Sequence, residues 1–225
     1  MLAWLSDLHT WLALLEIIGV NVVLSGDNAV VIALACRSLP AAQQRQAIFF
    51  GSLGAIVLRA LLTAFAALLL NQAYLKLIGG ALLLWIAIKL LLEEEDGSPV
   101  ECHDGMWAAI KTIVVADLVM SLDNVLGVAA VAKGDVVLLV LGLLISMPLI
   151  IYGSTVIMKL MSRFPMLITL GAALLGYIAA EMSVSDQAIV PWLAANMPWL
   201  SSVAPIVGAV LVVVTARALV HRRQR

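Results

Sequence analysis

The chain has 225 residues, 64% of them hydrophobic and 12% charged, with a formal net charge of −1. A soluble domain is about 45–50% apolar and about 25% charged, so this composition, with a mean hydropathy of +1.11, excludes an ordinary water-soluble globule and indicates an integral membrane protein. The net charge says little; where the charges sit says more.

The N-terminus, MLAWLSDLHTWLALLEIIGVNVV, has no basic leader and no A-x-A cleavage site, so it reads as a retained first span. A spanning helix needs about 20 mostly apolar residues. Seven such stretches follow one another: 11–36, 47–70, 73–92, 107–132, 135–158, 166–183 and 201–220. The predicted fold is all-α, a polytopic membrane helix bundle forming a single domain over 1–225. Pro148 predicts a kink in span five. Arg37 and Arg45 fall in the first connection, Lys159 and Arg163 in the fifth, and Arg217, Arg222, Arg223 and Arg225 at the C-terminus. Seven spans put all of these on one side, and the positive-inside rule makes that side the cytoplasm, with the N-terminus outside. Trp192 and Trp199 place the sixth connection along the opposite interface.

Cys36 and Cys102 show no zinc-like spacing, no C-x-x-C and no disulfide framework. The acidic run Glu93-Glu94-Glu95-Asp96, followed by Glu101, Cys102, His103 and Asp104, reads as a solvated linker; a metal-gathering loop is the sharper alternative.

Two apolar stretches carry an unexpected polar pair. VVLSGDNAVVIALA (22–35) contains Asp27-Asn28, and DLVMSLDNVLGVAAVA (117–132) contains Asp123-Asn124. A shift of 96 superposes Asn21 on Asp117, Ser25 on Ser121, Asp27 on Asp123 and Asn28 on Asn124. A shift of 92 superposes LKLIGGALLLWIAIK on LITLGAALLGYIAAE, Trp85 on Tyr177 and Lys89 on Glu181. The repeating unit is three spans: repeat one covers about 11–92 and repeat two about 107–183. An odd number of spans inverts the second copy. A 3+3 inverted repeat with a peripheral seventh helix at about 201–220 is an architecture of secondary transporters, which bind substrate near the midplane.

A carboxylate at the bilayer centre is costly and marks a functional position by default. Asp27 and Asp123 each lie about 16 residues into a span, near the midplane at about 1.5 Å per residue. Ser25-Gly26 invites a helix break, and a broken helix frees carbonyls for a cation. The ligands are then Asp27, Asn28, Asp123 and Asn124, with Ser25 and Ser121 at hand, an all-oxygen set suited to hard cations such as Mg²⁺, Ca²⁺ and Mn²⁺. The alternative is a polar clamp between helices. Glu16 precedes Asp27 by three helical turns and Asp117 precedes Asp123 by six residues; either could serve as a ligand on the cation path or as a proton acceptor. Arg59 is deep enough to require a counter-charge, either to hold a carboxylate ionised or as a structural ion pair. Lys89 and Glu181 lie near span ends, where both could snorkel; Glu181, after GYIAA, is the one read as facing the cavity. Met120, the one soft candidate, reads as packing.

These segments resemble the TerC family of bacterial integral membrane proteins. LSGDNAVVIALA and DLVMSLDNVLGVAA resemble its two signatures, and LIGGALLLWIAIKLL its third-span pattern; the shorter, seven-span YjbE-type members are the most similar, within the LysE-like exporters. The resemblance implies a divalent cation exporter of the bacterial cytoplasmic membrane, Mn²⁺ favoured, with coordination by Asp27, Asn28, Asp123 and Asn124 and with Glu16 and Asp117 at matching acidic positions. Proton coupling is part of this expectation, and no tightly bound cofactor, nucleic-acid partner or ATP coupling is. The reading leaves room for a homo-oligomer or a secretion-machinery partner. Two other readings compete. An intramembrane aspartyl hydrolase would use two carboxylates sharing a proton, but Leu24-Ser25-Gly26-Asp27 lacks G-x-G-D, and an Asn beside each Asp suits coordination, so no enzyme is expected. A non-transporting partner that supplies metal to secreted proteins is the third.

Overall fold

The computed structural model describes residues 8–65, 72–95, 102–132 and 136–223. Within those helices, the side chains of 8–10, 64, 93–95, 102–104, 123–132, 136, 222 and 223 lie outside the description. In chain order the helices are α1 (Leu8–Leu24), α2 (Gly26–Cys36), α3 (Ala41–Ala64), α4 (Leu75–Glu95), α5 (Cys102–Ala132), α6 (Val136–Arg163), α7 (Met166–Val184), α8 (Val190–Asn196) and α9 (Leu200–Arg223). No strand occurs among the described residues.

Six helices are long and apolar enough to cross a membrane, and α1 with α2 makes a seventh, broken span bent by 52°. The break falls at Ser25, the residue before Gly26, where the sequence offers the fewest reasons to stay helical. The equivalent stretch of α5 reads Ser121-Leu122-Asp123, and with Leu in place of Gly the helix runs through. Helix α3 begins at Ala41, six residues before its apolar run, because Gln43, Gln44, Arg45 and Gln46 are good helix formers behind the Pro40 start. Helix α6 continues through Pro148. The sixth connection forms the short helix α8, with Trp192 and Trp199 exposed on and beside it.

Large apolar side chains cover the outer surface, among them Val23, Ile78, Tyr152 and Ile206. Water would oppose such a surface, whereas lipid accepts it. Inside, a large cluster joins α2, α4, α5 and α7 around Leu34, Leu83, Ile113 and Leu175. A smaller one joins α1 to α6 through Leu14, Ile17, Leu139 and Leu143.

The packing is interdigitated. The broken span α1–α2 packs chiefly on α6, α3 on α5, and α4 on α7. Among these six spans, each therefore packs chiefly on a span of the other set of three. Gly51 of α3 abuts Ile113 of α5, and Gly142 of α6 abuts Ile17 of α1. Ile17 and Ile113 stand 96 residues apart, the spacing of the two Asp-Asn motifs, and Gly51 and Gly142 stand 91 apart. Contacts of α3 on α5 thus recur as contacts of α6 on α1. Helix α9 packs on α7 and α4, where Gly176 and Gly208 face each other: a Cβ at Gly176 would lie 2.5 Å from the Gly208 carbonyl oxygen.

At one end of the bundle Asp186, just after α7, is buried and ties two connections together. Its carboxylate accepts the Tyr74 N–H at 3.0 Å, the Leu77 N–H at 3.1 Å and the Ala188 N–H at 2.8 Å. Tyr74 and Leu77 belong to the start of α4, so a distant carboxylate caps that helix and holds Tyr74 in its left-handed turn (φ 67°).

Candidate functional site

The polar centre is assembled on Arg59. From α3 its guanidinium reaches across two other spans: Nε donates to Ser121 Oγ at 2.9 Å, Nη1 to Asn21 Oδ1 at 2.6 Å and to Ser25 Oγ at 2.8 Å, and Nη2 to Asp117 Oδ1 in a salt bridge. Arg59 is 4% exposed and Asp117 8%. Asp117 is held by two further groups beside the guanidinium: the Asn28 amide donates to its Oδ1 at 2.7 Å, and the Ser121 hydroxyl to its Oδ2 at 3.1 Å. Asn21 in turn donates to Ser146 Oγ on α6. Burying this arginine without partners would cost several kcal/mol; charge-assisted bonds to a carboxylate and three neutral oxygens offset that cost.

Asp117 lies at the middle of the 31-residue helix α5, and Ser25 close to the middle of the broken span. The network is therefore a midplane feature. It joins residues that the sequence repeat equates, Asn21 with Asp117 and Ser25 with Ser121.

A cavity of about 30 Å³ adjoins the network, enough for a water or an ion. Asn21, Asp117, Ile56, Met147, Arg59 and Ile150 all line it. These are three repeat-related pairs, at spacings of 96, 91 and 91 residues. The cavity thus sits where the two sets of three spans meet, yet each pair is chemically unequal. Two buried acceptors on the lining, Asn28 Oδ1 and Ser52 Oγ, have no hydrogen-bond partner among the described residues. Asn28 donates its amide nitrogen to Asp117, so its oxygen is left over.

Asp27 occupies the first turn of α2, half-buried, and its Oδ1 accepts the Asn28 N–H at 2.8 Å. The N-terminal end of a helix favours a carboxylate there. Asp27 is not among the hydrogen-bond partners of Arg59. The expected ligands Asp123 and Asn124 lie on α5, but their side chains fall outside the described residues. Among the described residues, no three His, Cys, Asp or Glu side chains come together as a metal cluster.

Two expectations change. Glu16 is exposed and makes no contact with the network; its three-turn spacing to Asp27 assumed one straight helix, and the bend at Ser25 breaks that register. Glu181 is also exposed and does not line this cavity. Met120 is core, as expected, whereas Met147, which no motif singles out, lines the cavity beside Arg59 and Asp117 and joins neither apolar cluster. Ser52 and Ser146 were missed as well, since a lone serine in a span carries no pattern. The acidic connection 96–101 lies outside the described residues.

The sequence profile of the integral membrane protein TerC family matches residues 6–225. The chain belongs to the TerC family. It is 43% identical over 189 residues to the uncharacterized membrane protein YjbE of Bacillus subtilis, covering 84% of this chain and 87% of that one. It is 29% identical over 191 residues to YceF of the same organism (80% and 74% covered) and 30% identical over 154 residues to the inner membrane protein YgdQ of Escherichia coli (60% and 64%). No solved structure matches the chain. This TerC-family chain is accordingly a multi-pass integral membrane protein.

Proposed function

We propose that this TerC-family protein exports a divalent cation across the bacterial cytoplasmic membrane, with Mn²⁺ as favoured cargo, N-terminus outside and C-terminus in the cytoplasm. The observation that carries this reading is the buried Arg59–Asp117 pair clasped to the broken span at mid-membrane. A carboxylate there with a tethered cation as its counter-charge is what an ion pathway needs when its cargo is absent. Asp27, Asn28, Asp123 and Asn124 provide the oxygens that replace the cation's water, and Asp117 adds charge to the path. Asn28 links the two groups, since its amide nitrogen is engaged by Asp117 and its oxygen is free for the cavity.

The recurring contacts of α3 on α5 and α6 on α1 support an inverted repeat. The interdigitated packing supports a particular choice of moving bodies. Arg59 and Asp117 lie on the packed pair α3–α5; Asn21, Ser25 and Asn28 lie on α1–α2, packed on α6. Sliding one pair against the other breaks the bonds from Arg59 to Asn21 and Ser25 and from Asn28 to Asp117, and leaves the ion pair intact. That motion opens the midplane site to alternate sides, with α4–α7 as the frame. Protons arriving at the carboxylates on the outer side would release the cargo, making the protein a proton-coupled antiporter. No step in this cycle requires an enzyme activity or a resident cofactor.

The test is flux into liposomes holding a Mn²⁺-responsive dye, for the wild type and for Asp27→Asn and Asp123→Ala. Wild-type flux that rises with a pH gradient and disappears in both variants is expected. Folded, inserted wild-type protein that passes no Mn²⁺ under any gradient would overturn manganese export and move attention to a partner role in supplying secreted proteins.

A further inference from the structure

One polar residue of the midplane cavity belongs to neither Asp-Asn motif. Ser52 of α3 is 5% exposed and lines the cavity, and its Oγ has no hydrogen-bond partner among the described residues. A serine or threonine inside a span ordinarily turns its hydroxyl back on its own helix. Thr63, Ser146, Ser154 and Ser183 do so, donating to the Arg59, Leu143, Ile151 and Ala179 carbonyls at 2.8–2.9 Å. Ser52 does not. Asn28, 4% exposed, adds a second unpartnered oxygen, Oδ1, to the same lining. The cavity extends to one side of the Arg59–Asp117 pair. Ser52 precedes Arg59 by two helical turns, about 10 Å; Ile113 precedes Asp117 by one turn, and Ile32 follows Asn28 by one turn. All three steps lead to the end of the bundle where α2 stops and α3 and α5 start. The repeat gives the comparison for the opposite side. Spacings of 91 and 96 equate Ser52 with Leu143 and Ile113 with Ile17, and both counterparts are fully buried in the smaller apolar cluster. Where one half has a hydroxyl and a space, the other has a packed leucine.

A space of about 30 Å³ takes one or two waters, far fewer than surround a hydrated divalent ion. A cation enters it only after shedding most of its shell. Asn28 Oδ1 has no proton to give, so whatever replaces water there must be a donor or a cation. Mg²⁺ dehydrates reluctantly and keeps several waters when bound, whereas larger hard cations accept amide and hydroxyl oxygens readily. We propose that Ser52 and Asn28 form a dehydration filter beside the Arg59–Asp117 pair, their two oxygens replacing water on a divalent cation in a space that rejects Mg²⁺. Two neutral oxygens select without trapping, as a conducting site requires; full charge is met only at Asp117, to which the Asn28 amide is already bonded. The inference rests on the export reading, in whose orientation this side faces the cytoplasm and the filter meets the cargo first.

The experiment follows Mn²⁺ binding to purified full-length protein by loss of the free ion's paramagnetic resonance signal, with Mg²⁺ as competitor, for wild type, Ser52→Ala and Ser52→Cys. Thermal melting without metal is measured beside it. Ser52→Ala should bind Mn²⁺ about tenfold more weakly with Mg²⁺ affinity and metal-free melting unchanged, so that discrimination falls about tenfold. Ser52→Cys, nearly equal in size, should gain Cd²⁺ over Mn²⁺ by about tenfold and add a cadmium–thiolate ultraviolet absorption above that of the wild type, which shares Cys36 and Cys102. Unchanged Mn²⁺ affinity and discrimination in Ser52→Ala, or no added cadmium absorption in Ser52→Cys, would overturn the filter and reduce Ser52 to the seat of a buried water. These readouts need no flux. Wild type that binds Mn²⁺ in preference to Mg²⁺ yet transports neither would remove the export reading and leave the filter standing. Wild type that binds no Mn²⁺ would remove both.

Discussion

At the scale of single residues the molecule is organised by one guanidinium. Arg59 needs its partners as much as they need it, because each would be a lone buried polar group without the other. Arg59→Met should therefore destabilise by about 3–5 kcal/mol, the cost of stranding a buried charge. Arg59→Met combined with Asp117→Leu should recover much of that loss while abolishing transport; thermal melting in detergent beside liposome flux separates the two effects. Met147 gives a second prediction. A thioether beside the few oxygens of a largely aliphatic cavity favours softer cations, so Met147→Leu, nearly equal in volume, should lower Mn²⁺ and Cd²⁺ flux about tenfold relative to Ca²⁺ and Mg²⁺. Unchanged cation preference would reduce Met147 to packing. The need of Arg59 for a counter-charge was legible in the sequence, as was Asp117. Which carboxylate it takes was not, because Asp27, Asp117 and Asp123 all sit within reach of a mid-span arginine on a linear map. The register between Glu16 and Asp27 was not legible for a related reason: periodicity can be counted along one helix only, and this one stops at Ser25.

At the scale of elements, the apolar runs were sufficient to locate the spans, since lipid demands about 20 residues of hydrocarbon whatever the fold. The break was legible too, in Ser25-Gly26 followed by Asp27-Asn28. The Asp186 clasp was not: its donors are backbone groups of Tyr74 and Leu77, which no side-chain pattern reveals. Burial alone pushes the Asp186 carboxyl up, but N–H donors from Ala188, Tyr74, Leu77 and Lys76 outweigh it and leave the group below its ordinary value of 3.8. A depressed value means stability that is fully present above 3.8 and is lost as pH falls from there through the folded-state value. Asp186→Asn should accordingly cost about 1.5–3 kcal/mol near neutrality and flatten the acid limb of the melting curve below about pH 4. An acid limb identical to wild type would assign that loss to other carboxylates. On the far side of α7, Gly208→Leu should push α9 away from Gly176 at a cost of about 1–3 kcal/mol, read by the same melting assay.

At the scale of the whole molecule, the sequence repeat suggests two bundles of three, yet the packing gives neither set of three a core of its own. The repeat was visible in the spacing of matched residues; the interdigitation was not, because spacing does not say which copy a helix faces. The chain should behave as a single cooperative unit. Residues 1–98 and 99–225 expressed separately should each fail to accumulate as folded protein, and expressed together should co-purify, detected by a tag on one fragment. A stable 1–98 fragment alone would mean that the first three spans pack on one another after all.

The grouping of Arg59 with Asp117 on one packed pair of spans has an electrical consequence. A lone charge carried across a membrane held at 100 mV exchanges about 2.3 kcal/mol with the field. A guanidinium and a carboxylate that travel together exchange almost none. In the proposed cycle this pair then adds almost no voltage dependence, and the potential acts on the ionised carboxylates Asp27 and Asp123 and on the cargo that neutralises them. Voltage steps applied to metal-free membranes at neutral pH should therefore move more charge in Arg59→Met, where Asp117 has lost its companion, than in the wild type.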